Sequence, residues 1–159
     1  VKGAQQLGIE FFEKNFSLLK IKNHFVGKTF MSTYGVETMF PFDSDRKRMS
    51  VIVSDQQKNQ YLILTKGADT TMIERLNISD NEKLKIIEVI KLYSVQGLRV
   101  LVMAGKELNE KDYLDWKIRY EHALKVSMNL DGLYQEMENN LTFYGCSAIE
   151  DKLQEGVAE

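Results

Sequence analysis

Met49-Ser50-Val51-Ile52-Val53-Ser54, the polar string Asp55-Gln56-Gln57-Lys58-Asn59-Gln60, and Tyr61-Leu62-Ile63-Leu64-Thr65 read as two strands and the turn that joins them. Met49, Val51 and Val53 alternate with Ser50, Ile52 and Ser54, the two-residue period that sends neighbouring side chains to opposite faces of a sheet. The unit is therefore a hairpin. Upstream, Phe16-Ser17-Leu18-Leu19-Lys20-Ile21 and Thr29 to Phe42 have the same alternation and β-branched or aromatic content, so the first third of the chain is strand-rich. Ala4, Leu7, Phe11 and Phe12 suggest the tail of a helix before it.

Downstream the period changes. Gly67 permits a tight turn, and Asp69 or Thr70 caps a short helix running through Leu76, with Met72, Ile73 and Leu76 on one face. Ser79 with Glu82 three places on is a capping box, and Leu84, Ile87, Ile90 and Tyr93 repeat every three residues up to a stop at Gly97. Leu98 to Ala104 is apolar apart from Arg99 and reads as a central strand. Tyr113, Trp116, Tyr120, Ala123, Leu124 and Ser127 form the stripe of a long amphipathic helix, a shorter helix occupies Leu133 to Asn139, and Leu141 to Ile149 is a last strand. With most of the sheet ahead of the helices, the fold class is α+β, a mainly antiparallel sheet flanked by helices rather than regular βαβ winding.

A chain of 159 residues is one ordinary domain, with 43% hydrophobic and 28% charged residues at the globular average. The net charge of −2 gives no support to general nucleic-acid binding. The single Cys146 has no partner for an internal bridge, and no apolar run reaches the roughly 18 residues of a membrane span, so a cytosolic setting is expected. The triplets at Asn15, Asn77 and Asn140 are then chance matches to a glycosylation signal. His24 and His122 are isolated and expected at the surface, Cys146 is read as a small buried hydrophobe, and Met103, Trp116 and Tyr120 as core. No phosphate loop, dinucleotide-binding glycine pattern or His-Glu-x-x-His is present.

The chemistry concentrates in Phe42-Asp43-Ser44-Asp45-Arg46-Lys47-Arg48-Met49-Ser50 and Lys66-Gly67-Ala68-Asp69, which supply an aromatic ring and several fixed cations. A purine stacks on an aromatic face for roughly 1–3 kcal/mol, and each charge-assisted bond to phosphate contributes about 1.5–3 kcal/mol. Taken alone, a phenylalanine is most often core and a mixed-charge run most often a solvated turn. Asp43 and Asp45 are expected to orient the cations rather than to act as an acid–base pair. Lys66 ends an apolar strand, so its stem stays packed while its ammonium emerges. Arg99, inside Leu98-Arg99-Val100-Leu101-Val102, requires either a buried partner or a groove.

Arg46-Lys47-Arg48-Met49-Ser50, Lys66-Gly67-Ala68-Asp69, Gly97-Leu98-Arg99 and Ala148-Ile149-Glu150-Asp151-Lys152-Leu153-Gln154 occur in the order found in P4-type ATPases, the phospholipid flippases. Over essentially its whole length the chain resembles their nucleotide-binding (N) domain, and Arg-Lys-Arg-Met-Ser and Glu-Asp-Lys-Leu-Gln separate it from calcium and sodium pumps. The resemblance implies that adenine stacks on Phe42 and that Lys47 lies along the nucleotide. It places Lys66 on the pocket floor, lets the backbone at Gly67 approach the ligand, and gives Arg99 the phosphates. Ser44, Asp45, Arg46, Met49 and Ala68 are supporting positions. The cofactors implied are ATP and the Mg2+ of MgATP, the metal being held mainly by a separate phosphorylation domain.

Residues 1–149 would then be the N domain and 150–159 a hinge toward that phosphorylation domain, in the cytosolic part of an integral membrane protein. The phosphorylatable Asp-Lys-Thr-Gly-Thr segment is absent here, as is the acidic stretch ordinarily preceding Val1, and Ala158 stands where the family usually has Pro. The fragment alone should bind nucleotide without turning it over. Its partners would be the phosphorylation, actuator and transmembrane domains of the same chain, with a regulatory subunit a further one. The alternatives are a regulatory flippase-like module of a fusion such as a protozoan guanylyl cyclase, and an interaction domain whose Arg46-Lys47-Arg48 cluster binds anionic lipid or protein.

Overall fold

The computed structural model describes residues 2–15 and 17–150. A short helix α1 (Lys2–Gln6) leads into strands β1 (Ile9–Asn15), β2 (Leu18–Phe25), β3 (Lys28–Asp43), β4 (Arg48–Asp55) and β5 (Gln60–Ala68). Helices α2 (Asp69–Ile73) and α3 (Asp80–Val95) connect to β6 (Leu98–Leu108), and α4 (Glu110–Lys125) and α5 (Asp131–Met137) connect to β7 (Thr142–Glu150). All seven strands form one sheet in sequence order, each antiparallel to the next. The hairpin of the opening stretch is β4 and β5, paired from Arg48↔Gly67 to Asp55↔Gln60.

Four sequence expectations are corrected. Phe11 and Phe12 belong to β1, not to a helix, and are half exposed; Phe11 pairs with Ile21 of β2 and Phe12 sits at the bulge that follows, so strand pairing outweighs helical spacing. The N-cap of α2 is Ala68, whose side chain makes no capping bond, so Asp69 is the first helical residue rather than the cap. On α3 the capping box is present, but Leu84 and Tyr93 face solvent while Ile90 is buried, with Ile86 and Ile87 packed beside it. β6 is sixth of seven strands rather than central, and its exposure alternates: Val102 is buried whereas Arg99 and Met103 are exposed. Of the expected strand at residues 16–21, Phe16 lies outside the described residues, as does the tail from Asp151.

The core lies between one face of the sheet and the helices. Phe40, Ile52, Ile63, Val102 and Ala104 from the strands meet Met72, Ile90, Tyr113, Trp116, Tyr134 and Met137 from the helices. The stripe predicted on α4 is a ladder of rings, with Trp116 stacked on Tyr120 at 4.9 Å and 12° and the Trp116 indole N–H donating to the Leu133 carbonyl at 2.9 Å. Phe40 rests against Tyr134 at 4.3 Å between centroids. Burying a ring of this size contributes about 1.5–3 kcal/mol, so this aromatic layer carries much of the helix-to-sheet attachment. Among the described residues, the helices that supply this core lie on that one face of the sheet.

Candidate functional site

The loop from Asp43 to Arg48 is built to hold one cation outward and two inward. The Asp43 carboxylate accepts the backbone N–H groups of Asp45 and Arg46, each at 2.9 Å, and these bonds hold its pKa below the usual 3.8. The chain then passes through a left-handed residue, Lys47 (φ 51), whose N–H donates to the Asp43 carbonyl at 2.7 Å and whose own carbonyl accepts from Ala68 at 2.9 Å. That close approach to β5 explains Gly67: a Cβ there would lie 2.5 Å from the Arg48 Cβ and 2.8 Å from the Lys47 oxygen. Its missing side chain is used by the neighbouring strand.

Arg46 and Arg48 turn to the core face and share one carboxylate, Glu138, which is wholly buried. Arg46 Nη2 donates to Oε1 and Arg48 Nε to Oε2, both at 2.6 Å, and Ser50 Oγ donates to Oε1 at 2.6 Å while meeting Thr65 Oγ1 at 2.8 Å. The Arg46 guanidinium also lies 4.5 Å from the Tyr134 ring centre. Burial pushes the Tyr134 phenol up to about 12, although Arg46 pulls it the other way. The basic run thus shows solvent one exposed side chain, Lys47; those of Arg46 and Arg48 are 10% and 3% exposed. Glu138 was not singled out from the sequence, since a lone glutamate 88 to 92 residues from its partners carries no local signal.

The other face is open. Between Phe40↔Ser50 and Asp43↔Arg48 the register slips, leaving Pro41 and Phe42 opposite Met49 alone. The bulge places Phe42 in solvent, 64% exposed, while Phe40 two residues earlier is wholly buried. Met49 pairs with Lys66 and Lys66 with Met103, so Phe42, Met49, Lys66 and Met103 form a row across β3, β4, β5 and β6. Directly paired residues share a face, and strand alternation puts Arg99 on the face of Met103, about 13 Å further along β6. Arg99 is exposed and lies opposite Ile149 of β7. Met103 belongs to this floor and not to the core, because it sits on the face the helices do not cover.

A cavity of about 440 Å3 lies over the Met49, Lys66 and Met103 part of the row, lined also by Val51, Leu64 and Tyr144 among others. Its walls are mostly apolar, with Lys66, Ser50, Thr65 and the Tyr144 hydroxyl as the polar members of the lining, suiting a flat, weakly polar ligand part beside a charge. Of the predicted residues the structure gathers Met49 and Lys66 at this floor, sets Phe42 across the bulge from Met49 outside the cavity lining, puts Arg99 along the same face, and keeps Lys47 at the hairpin end. Ser44 and Asp45 are exposed turn residues, and Ala68 forms the backbone bond to Lys47.

The P-type ATPase cytoplasmic domain N family matches residues 22–156. The chain belongs to that family. It is 36% identical over its whole length to phospholipid-transporting ATPase 2 of Arabidopsis thaliana, and 35% identical to human phospholipid-transporting ATPase IC, again over its whole length. It is 40% identical over 98% of its length to phospholipid-transporting ATPase dnf2 of Schizosaccharomyces pombe. The N domain spans 14%, 13% and 11% of those relatives respectively. Among its described residues no helix is long and apolar enough to cross a membrane.

Proposed function

We propose that this N domain binds MgATP on the open sheet face and, within a phospholipid-transporting P-type ATPase, presents the γ-phosphate to an aspartate of a separate phosphorylation domain. The observation that carries the reading is the row from Phe42 to Met103: a ring lifted into solvent by a bulge, an apolar floor, and Lys66 in the middle. Adenine would stack on Phe42 with its edge over Met49 and Lys66, while the phosphates run toward Lys47 and Arg99. ATP fits the donor set, since the open face offers both a stacking surface and cations. Mg2+ would arrive with the nucleotide and take its protein ligands mainly from the phosphorylation domain.

The domain's part in catalysis is then positioning and charge neutralisation, not nucleophilic attack. Residues 150–159 would lead back to the phosphorylation domain, and the assembled protein would stand in a membrane with this domain on the cytosolic side. The reading as a basic interaction patch is disfavoured, because Arg46 and Arg48 are already bound to Glu138.

The isolated chain should bind ATP with a dissociation constant on the order of 0.1–1 mM, since one stacked base and a few exposed phosphate contacts leave about 4–6 kcal/mol after association costs. Titration with ATP followed by amide NMR should move resonances at Phe42, Lys66 and Arg99. An unchanged spectrum at those residues would overturn the assignment.

A further inference from the structure

The bulge that lifts Phe42 has a counterpart on β7. Met103 pairs with Gly145 and Ala104 with Phe143, which leaves Tyr144 as the extra residue with no partner across the ladder. Gly145 holds this break at φ 148, a backbone angle that glycine adopts and residues with a Cβ rarely do. Phe143 and Cys146, on either side of the break, both pack against the core, so the added residue lets Tyr144 turn to the open face without disturbing them. There it is 56% exposed.

The ring does not hang free. A Cβ on Gly105 would lie 2.8 Å from Tyr144 Cε2 and 3.1 Å from Leu64 Cδ2, so the missing side chain of Gly105 is what lets the ring lie over β6 and reach toward β5. Tyr144 lines the cavity of about 440 Å3 together with Lys66, Met103 and Met49. Phe42 stands beside Met49 at one end of the same cross-strand row, and Tyr144 at the other.

We infer that Tyr144 is a second aromatic contact for the nucleotide base, forming the wall against which the edge of a purine stacked on Phe42 comes to rest. The inference rests on the ATP-binding reading above. Two half-exposed rings flanking an apolar floor bound a planar ligand on two sides, and edge-to-face contact with an aromatic ring favours one placement over others. The phenol hydroxyl adds a donor and acceptor to a cavity otherwise poor in them.

The test uses the chain as it stands, with ATP and inorganic tripolyphosphate as probes and Tyr144→Ala, Tyr144→Phe and Phe42→Ala as variants. Tyr144→Ala should weaken ATP binding about three- to tenfold and leave tripolyphosphate binding unchanged, while Tyr144→Phe stays within about twofold of the parent. In the unsubstituted protein, nuclear Overhauser contacts should connect the Tyr144 ring protons to purine H2 or H8, a readout that needs no variant to fold. ATP binding that depends on Phe42 but not on Tyr144, without those contacts, overturns this inference and leaves the ATP site standing. ATP affinity unchanged in Phe42→Ala overturns the site itself and this inference with it.

Discussion

Arg46 and Arg48 end on Glu138 under the helices, whereas Lys47 between them and Lys66 on the next strand remain in solvent. Four cations in two short segments thus divide between two tasks, and what divides them is which way each faces and not the kind of charge each carries. On the core face the guanidiniums are desolvated and bonded to one carboxylate and to the Pro41 and Arg46 carbonyl oxygens, while Arg46 Nε and Arg48 Nη2 stay buried without a partner, so they stabilise the loop only as a set. On the open face the ammonium groups keep their water and are available to a ligand. A buried network of this kind is costly to break, while an exposed ring or ammonium is cheap to remove.

The sharpest way to break that comparison is to remove the shared carboxylate. Glu138→Ala leaves two buried guanidiniums without a counter-charge and should cost about 3–5 kcal/mol of stability in urea denaturation. Phe42→Ala, on the opposite face, should change stability by no more than about 0.5 kcal/mol yet cost about 1–3 kcal/mol of ATP binding. If Glu138→Ala were neutral, or Phe42→Ala as destabilising, the division between a structural and a ligand-facing side would fail.

A smaller effect is expected where the two faces meet. Gly67→Ala would force its new methyl onto Arg48 Cβ and the Lys47 carbonyl, and overpacking of this kind costs typically about 1–3 kcal/mol. Because the clash falls on the turn that sets Lys47, ATP affinity should fall too, even though Gly67 itself is buried beneath the open face. Denaturation and ATP titration of the same variant check both parts. A loss of stability with unchanged affinity would show that Lys47 does not take part in binding.

Much of the architecture was legible because it rests on local patterns. The alternation in Met49–Ser54, the Ser79–Glu82 capping box and the aromatic stripe of α4 each describe contacts within a few residues or one element, and each appears in the structure. Misreadings came where a face had to be assigned. Met103 and Arg99 sit in an apolar run that suggested burial on both sides, but β6 has helices over one face only. Phe11 and Phe12 fall at helical spacing from Leu7, yet Phe11 pairs with Ile21 of β2 and Phe12 is the extra residue where the β1 register shifts.

At the site, Phe42, Lys66 and Arg99 stood out through their motifs, while Glu138 and Tyr144 did not. Glu138 acquires its meaning from partners on β4 and the preceding loop that no short window connects. Tyr144 had one faint local sign, the glycine after it, which in a strand marks a bulge. Pro41 is the equivalent mark beside Phe42, since proline is confined to edges and bulges in sheets.

The gentlest perturbation acts on the loop through pH. Asp43 is fully exposed, and the N–H groups of Arg46 and Asp45 lower its pKa from 3.8, so folding favours its charged form. For a carboxylate depressed in this way, the stabilisation is complete above the ordinary aspartate range and is lost as the pH falls through the lowered value. The Asp45 and Arg46 amide resonances should therefore titrate together with a midpoint below 3.8, and Asp43→Asn should lower ATP affinity slightly while removing that titration. Since the same carboxylate starts the turn that ends at Lys47, a midpoint at or above 3.8 would mean that it does not brace the loop, and the outward setting of Lys47 would then rest on its backbone bonds to Asp43 and Ala68.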